Sequence, residues 1–251
     1  MMQDVVALVM AGGRGTRLAP LTNYFQKAML PVGYRFRPVI EYVVRNLIFN
    51  GIKKIVIAVS YLRDQVVNYF RYLNLGNDVK IEFVEDPGLG TGTAFLKAFR
   101  SGLLEEEKVL VHYGDILTNL RLSDLVRYHH DKDCDCTLVD AHGYRLPIGI
   151  VKLQNEQVLR VVEKPLIEVS YGIGIFIFTR RALNIISRTI TNDRMKCDIA
   201  KDIVTIMINQ GFKVCAFKPA QQGFFWIDIG FLDTYRKLDH CMIDELFKYL
   251  F

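Results

Sequence analysis

The sequence predicts an α/β protein with one mixed, mostly parallel central sheet and helices on both of its faces. Short runs rich in β-branched residues alternate with longer runs of helical period through the first half, the order that builds a parallel sheet. The first strand-like run, Val5 to Met10, is nearly continuous in its hydrophobicity, as burial on both faces of such a sheet requires. A glycine-rich turn follows it directly, and open α/β sheets bind their ligands at the carboxyl ends of their strands.

The elements follow in order. A helix opens at Pro38, with Ile40, Val43, Leu47 and Ile48 on one face and Gly51 beyond its end. Ile55 to Val59 is the second strand, Arg63 to Leu73 a helix, and Val79 to Val84 the third strand. Thr91 to Leu103 reads as a helix and Val109 to Val111 as the fourth strand. The second half is richer in strands: Cys136 to Val139, Ile148 to Leu153, Val158 to Val162, Ile173 to Phe178 and Lys213 to Phe217. From Phe231 to Phe251, Leu238, Met242, Leu246 and Leu250 recur at helical spacing. That stripe packs onto its own domain or, as the alternative, forms a homo-oligomer interface through a C-terminal helix.

The 251 residues fit one domain spanning 1–251, and no linker, repeat or low-complexity tract divides them. Hydrophobic residues make up 51% of the chain but are interleaved with charge, well short of the ~18 apolar residues of a membrane span. The first strand starts almost at once and leaves no basic leader region, so the expectation is a cytoplasmic protein. The net charge of +5 is scattered, with Lys53-Lys54 and Arg180-Arg181 among its few adjacent basic pairs. That pattern argues against nucleic acid and leaves small acidic substrates open. Five cysteines without a C-x-x-C pair point to free thiols in a reducing compartment.

His129, His130, Cys134 and Cys136 crowd one segment, but neither C-x-C nor adjacent histidines has structural-zinc spacing. A helix end followed by a strand accounts for them. Asp131 to Asp135 contains D-x-D, which here follows a helix and reads as a solvated loop.

The first turn carries the most chemistry. Gly12, Gly13 and Gly15 let successive backbone N–H groups turn toward an anion. Arg17 and Lys27 add a planar fork and a point charge, and together they read as a triphosphate cradle. A structural turn without a ligand is the alternative, and the two cations weigh against it. A P-loop is excluded because Gly15-Thr16-Arg17 stands where Gly-Lys-Ser would. A dinucleotide loop is excluded because Leu18 stands where the third glycine belongs, and no carboxylate lies between the loop and Glu41.

Ala11-Gly12-Gly13-Arg14-Gly15-Thr16-Arg17-Leu18, Pro20-Leu21-Thr22, Lys27 and Leu30-Pro31-Val32 together resemble the signature of the sugar-1-phosphate nucleotidyltransferases. The resemblance continues to about Tyr235 with the motifs in family order. It implies a Rossmann-like nucleotide-diphospho-sugar transferase fold, and the expectation is a single such domain without the β-helix domain that many relatives carry. It also implies that Ala11, Gly12, Gly13, Gly15 and Thr16 bind the nucleotide. Glu85-Asp86-Pro87-Gly88-Leu89-Gly90-Thr91 resembles the base-recognition loop, with Glu85, Gly90 and Thr91 at the base. Gly114-Asp115 and Phe225-Trp226-Ile227-Asp228-Ile229-Gly230 resemble the settings of the two metal-binding aspartates, which implies that Asp115 and Asp228 hold Mg²⁺.

Glu163-Lys164-Pro165 resembles the family's E-K-P, whose carboxylate holds sugar hydroxyls and whose lysine meets the sugar phosphate. Gly149 and Gly174 close the segments that stand where the family often has P-Y-G and N-A-G. Here these read Pro147-Ile148-Gly149 and Gly172-Ile173-Gly174, so a tyrosine and an asparagine are missing. A second departure precedes Lys27, where Gln26 replaces the usual proline and predicts a less rigid loop.

The implied partners are a nucleoside triphosphate and a sugar 1-phosphate, with Arg17, Lys27, Asp115 and Asp228 as the catalytic set. Guanine's adjacent N1–H and N2–H donors suit an acceptor carboxylate such as Glu85, which favours a mannose-1-phosphate guanylyltransferase. A glucose-1-phosphate thymidylyl- or uridylyltransferase is the alternative. A non-catalytic regulatory subunit of the same fold is another class, and such chains usually lose a cation or metal ligand that this one keeps.

Overall fold

The computed structural model describes residues 2–146, 148–192 and 194–251. Strand β1, Val5–Ala11, is sandwiched between two layers because its side chains alternate. Val5, Ala7, Val9 and Ala11 enter one core and Val6 and Leu8 the other. Strand β2, Lys54–Val59, repeats the pattern, with Ile55, Ile57 and Val59 on the first side and Val56 and Ala58 on the second. Burying side chains such as Leu8 and Ile57 contributes about 1.5–3 kcal/mol each.

Strands β3 (Lys80–Glu85), β4 (Lys108–Tyr113), β6 (Cys136–Asp140), β9 (Gly172–Thr179) and β10 (Val214–Phe217) complete a seven-stranded sheet. Its order is β10-β6-β9-β4-β1-β2-β3. All neighbours are parallel except β9, which runs antiparallel between β4 and β6. Short β5 (Ile116–Thr118) pairs with β11 (Trp226–Asp228) outside this sheet. The chain leaves β1 toward β2 and β3 and then returns to place β4 on the other flank. The crevice beyond β1 and β4 is therefore the switch point where such sheets take ligands.

Helix α1, Val39–Phe49, covers the first layer through Ile40, Val43, Val44 and Leu47, with Pro38 at its N-cap. Helices α2 (Arg63–Tyr72) and α4 (Leu122–Asp131) join it there through Val66, Phe70, Leu125 and Val126. On the other face lie α3 (Thr91–Arg100), α5 (Arg180–Thr189) and α6 (Val204–Asn209). Helix α3 stops short of the expected Leu103 because a turn at Ser101 and Gly102 ends it. Among the described residues no helix is long and apolar enough to cross a membrane.

The C-terminal stretch breaks into α7 (Leu232–Arg236) and α8 (His240–Leu246), where the Asp239 side chain caps Met242 N–H at 2.9 Å. The break shifts the helical phase. Leu238, Ile243, Phe247 and Leu250 are buried against Leu18, Leu30 and Tyr42, whereas Met242 of the expected stripe is 39% exposed. The stretch thus packs on its own domain, beside the segment that carries Lys27.

Three further expectations change. Cys134 and Cys215 are bonded rather than free: parallel pairing of β6 with β10 brings their Cα atoms to 6.1 Å, inside disulfide range. Cys136, Cys197 and Cys241 remain thiols. The D-x-D segment is not wholly solvated, because Asp135 is buried, accepts from Lys213 N–H at 3.0 Å and pairs with Arg181 at 2.8 Å. Among the described residues, strands β7 (Ile150–Gln154) and β8 (Gln157–Val162) pair with each other, outside the main sheet, in an exposed hairpin.

Two histidines sit in the cores. His112 Nδ1 lies 2.8 Å from the Tyr113 carbonyl, and His129 Nδ1 lies 2.8 Å from Thr137 Oγ1. Burial pushes both imidazoles down from 6.5 to about 4. Between these values the unfolded chain binds the protons and the folded chain does not, so stability is complete above pH 6.5 and is lost as pH falls toward 4. Urea unfolding should show a loss of about 2 kcal/mol per histidine between pH 7 and pH 5. A flat profile over that range would contradict the burial of both rings.

Candidate active site

A cavity of about 680 Å³ opens beyond the carboxyl ends of β1 and β4, within the size range of small-molecule sites. Its floor requires two close approaches. Gly114 donates its N–H to the Met10 carbonyl at 2.9 Å, and a Cβ on Gly114 would lie 2.9 Å from that oxygen. Only a residue without a side chain lets the turn after β4 close on the end of β1. At Gly12 a Cβ would overlap Asp86 Oδ2, so glycine lets the loop after β3 reach the first loop.

Ala11, Gly12, Gly13, Arg17, Lys27, Gly90, Thr91, Asp115 and Asp228 all line this cavity. Lys27 rides on a short turn, Lys27–Met29, and its ammonium pairs with Asp115 and lies 4.0 Å from Asp228 Oδ1. The pairing of β5 with β11 makes the two aspartates neighbours, and Ile229 N–H donates to the Asp115 carbonyl at 2.9 Å. The Arg17 guanidinium stacks over the Phe231 ring at 4.1 Å, a cation–π contact that anchors the fork at the rim.

Asp228 is the strained member of the group. Burial raises its carboxyl above the usual range and Asp115 adds to the rise, while Lys27 and Arg17 oppose it. Its Oδ1 is buried without a hydrogen-bond partner among the described residues. A buried, unsatisfied carboxylate oxygen beside a second carboxylate fits a hard divalent cation that takes its other ligands from phosphate and water. Among the described residues no group of three or more His, Cys, Asp or Glu is built to hold a metal alone.

Other expected residues lie outside the lining. Gly15 opens the Thr16–Leu18 turn and accepts from Thr22 Oγ1 at 2.9 Å, so Gly15 and Thr16 shape the loop from behind. Glu85 is exposed and faces Lys97 at 3.4 Å. The next residue, Asp86, turns inward instead, since its N–H donates to the Val59 carbonyl at 2.8 Å and its Oδ1 accepts from Gly88 N–H at 2.8 Å. Burial raises the Asp86 carboxyl as well. One position at a strand end decides which carboxylate lines the cavity, and here it is Asp86 rather than Glu85.

Glu163 and Lys164 follow β8 and are exposed, with Gly149 beside the Glu163 carboxylate. Pro147 lies outside the described residues. Gly174 sits under the Tyr113 ring, and Tyr113 lines the cavity and donates to Thr91 Oγ1 at 3.3 Å. Sequence reading missed Tyr113, Asp86 and Phe231. It also misjudged Gln26, which lines the cavity and is held by hydrogen bonds rather than loosened.

The nucleotidyl transferase family profile matches residues 6–244. A mannose-1-phosphate guanyltransferase beta-B of Xenopus laevis is 30% identical over 233 residues, covering 89% of this chain and 61% of its own. A UTP–glucose-1-phosphate uridylyltransferase of Synechocystis sp. is 26% identical over 252 residues, covering 91% of this chain and 61% of its own. This chain therefore spans about three fifths of the length of these curated relatives. The crystal structure of HddC from Yersinia pseudotuberculosis shares the fold, with a TM-score of 0.69 at 22% identity over 92% of this chain and 96% of that one. By a profile match that runs over nearly its whole length, the chain belongs to the nucleotidyl transferase family, among the sugar-1-phosphate nucleotidyltransferases.

Proposed function

We propose that the chain transfers a nucleotidyl group from a nucleoside triphosphate to a sugar 1-phosphate, releasing pyrophosphate. The observation that carries this reading is the meeting of Arg17, Lys27, Asp115 and Asp228 at one cavity beside the glycine loop. A phosphate oxygen of the sugar 1-phosphate attacks the α-phosphorus. The bond from that phosphorus to the β-phosphate oxygen breaks, and pyrophosphate takes the electron pair. No covalent enzyme intermediate is needed, so the protein's work is positioning and charge neutralisation.

In this reading the backbone of Ala11, Gly12 and Gly13 cradles the phosphates, and Arg17 holds the β- and γ-phosphates as the leaving group gains charge. Lys27 and Lys164 orient the attacking phosphate, and Glu163 holds sugar hydroxyls, with Gly149 and Gly174 beside the sugar. Asp115 and Asp228 would hold Mg²⁺, which would supply Lewis-acid neutralisation of the phosphate oxygens. Asp86 takes the base-reading role first given to Glu85, because its carboxylate faces the cavity. An acceptor there suits the paired donors of guanine, so GTP with mannose 1-phosphate is the proposed pair and the cytoplasm the proposed place of work.

The test is pyrophosphate release with Mg²⁺ across GTP, UTP, dTTP, CTP and ATP against mannose, glucose, galactose and N-acetylglucosamine 1-phosphates. Turnover strongest with GTP and mannose 1-phosphate is expected. Asp86→Asn is expected to narrow the lead of GTP over UTP by about tenfold, the worth of ~1.4 kcal/mol of base discrimination. Strong turnover with UTP or dTTP and glucose 1-phosphate would replace the substrate pair while keeping the reaction. A blank grid with bound nucleotide sugar would make the chain a regulatory subunit.

A further inference from the structure

Gln26 stands one residue before Lys27 and is 1% exposed. Its Nε2 donates to the Ala11 carbonyl at 2.5 Å, and its Oε1 accepts from Ala28 N–H at 2.6 Å. Its own N–H donates to Gln65 Oε1 at 2.8 Å, and Gln65 Nε2 donates in turn to the Tyr24 carbonyl at 2.6 Å. The peptide that precedes Lys27 is thus held from three sides: the end of β1, its own turn and helix α2. Its backbone lies at φ −61° and ψ 137°.

That φ is the one a proline ring imposes. A proline at this position would fix the angle covalently but would give up the N–H that Gln65 takes. Glutamine reaches the same conformation through hydrogen bonds, and because both ends of its amide are satisfied in a buried place, only one orientation serves. Ala11, which accepts from it, is the last residue of β1 and the first of the glycine loop.

We infer that Gln26, braced by Gln65, is a positioning residue that ties the turn carrying Lys27 to the phosphate cradle, so that ammonium and cradle keep one fixed separation. The inference rests on the reading of Lys27 as a group that orients the attacking phosphate. A displacement of about 1 Å at such a group costs up to ~10²-fold in rate.

The test is steady-state kinetics on Gln26→Ala, Gln26→Glu, Gln26→Pro, Lys27→Ala and the Gln26→Ala/Lys27→Ala double variant. Gln26→Ala should lower kcat about 10- to 100-fold, with the KM for the triphosphate moved by less than about threefold. Gln26→Glu keeps the acceptor for Ala28 but sets an oxygen against the Ala11 carbonyl, and should lose as much. Gln26→Pro should be faster than Gln26→Glu, since it restores φ, but slower than wild type, since it lacks the tie to the Ala11 carbonyl. The double variant should be no slower than Lys27→Ala alone, because the effect runs through Lys27.

A Gln26→Ala penalty that persists undiminished without Lys27 would overturn the inference, as would a Gln26→Ala enzyme within twofold of wild type. Lys27→Ala at the wild-type rate would remove the role of Lys27 itself and the inference with it, and that single variant tells the two failures apart. Should Gln26→Ala fail to fold, proline against glutamate makes the same comparison. Proline faster supports positioning, and proline equal to or slower than glutamate overturns it.

Discussion

Lys27→Ala is expected to lower kcat by ~10²- to 10³-fold, the usual cost of losing one preorganised charge aimed at a transferring phosphate. The ammonium is half-enclosed between Asp115 and Asp228, so the protein has already met the cost of desolvating and orienting it. Its removal also leaves two carboxylates facing each other without the cation that moderates their repulsion. Lys27→Arg should not rescue, because a planar fork cannot occupy the space of a compact ammonium between two carboxylates. Single-turnover rates with saturating substrates check this directly. Activity within a few-fold of wild type, under ~1 kcal/mol in barrier, would remove Lys27 from the reaction.

Asp228→Asn is expected to lower activity by ~10²-fold or more and to raise the Mg²⁺ concentration needed for half-maximal rate, since a metal that takes few protein carboxylates loses half of them. The same substitution should leave thermal stability in metal-free buffer unchanged or raised. Asp228 is half-buried, sits next to Asp115 and carries one buried oxygen without a hydrogen-bond partner among the described residues, so removing its charge relieves a desolvation and repulsion that solvent and the nearby cations partly offset. Function and stability pull in opposite directions at such a position. The check is a Mg²⁺ titration of rate alongside a melting curve with chelator. A variant that melts lower and still turns over at the wild-type rate would contradict both halves.

The parts of the structure that were legible in the sequence are those set by a local period. Val5 to Met10 announced a strand buried on both faces, and its alternating residues do enter two separate cores. Ile40, Val43 and Leu47 announced the buried face of α1 for the same reason. Arg17 and Lys27 were legible because each lies a short, fixed distance along the chain from the glycine turn. Asp115 and Asp228 became neighbours only through family resemblance, since the pairing of β5 with β11 is a tertiary event that neither segment encodes alone.

What was not legible depended on tertiary placement. Glu85 and Asp86 are adjacent carboxylates at a strand end, and a turn of one residue exchanges which faces the cavity. The Cys134–Cys215 bond follows from β10 being placed beside β6 by the sheet order. Gln26 looked like the loss of a rigid residue, because a side-chain amide stiffens a loop only when acceptors and donors are brought to it from β1 and α2. The D-x-D segment looked solvated because its partners, Arg181 and Lys213, lie far along the chain.

The most direct measurement of the central claim follows ¹⁸O from a sugar 1-phosphate labelled at the non-bridging oxygens of its phosphate, with Mg²⁺ and the preferred triphosphate. Attack by that phosphate on the α-phosphorus predicts unlabelled pyrophosphate and a nucleotide sugar whose β-phosphate retains the label, with ¹⁸O in the new bridge. Label in the released pyrophosphate, or hydrolysis of the triphosphate with no nucleotide sugar formed, would contradict nucleotidyl transfer at this site.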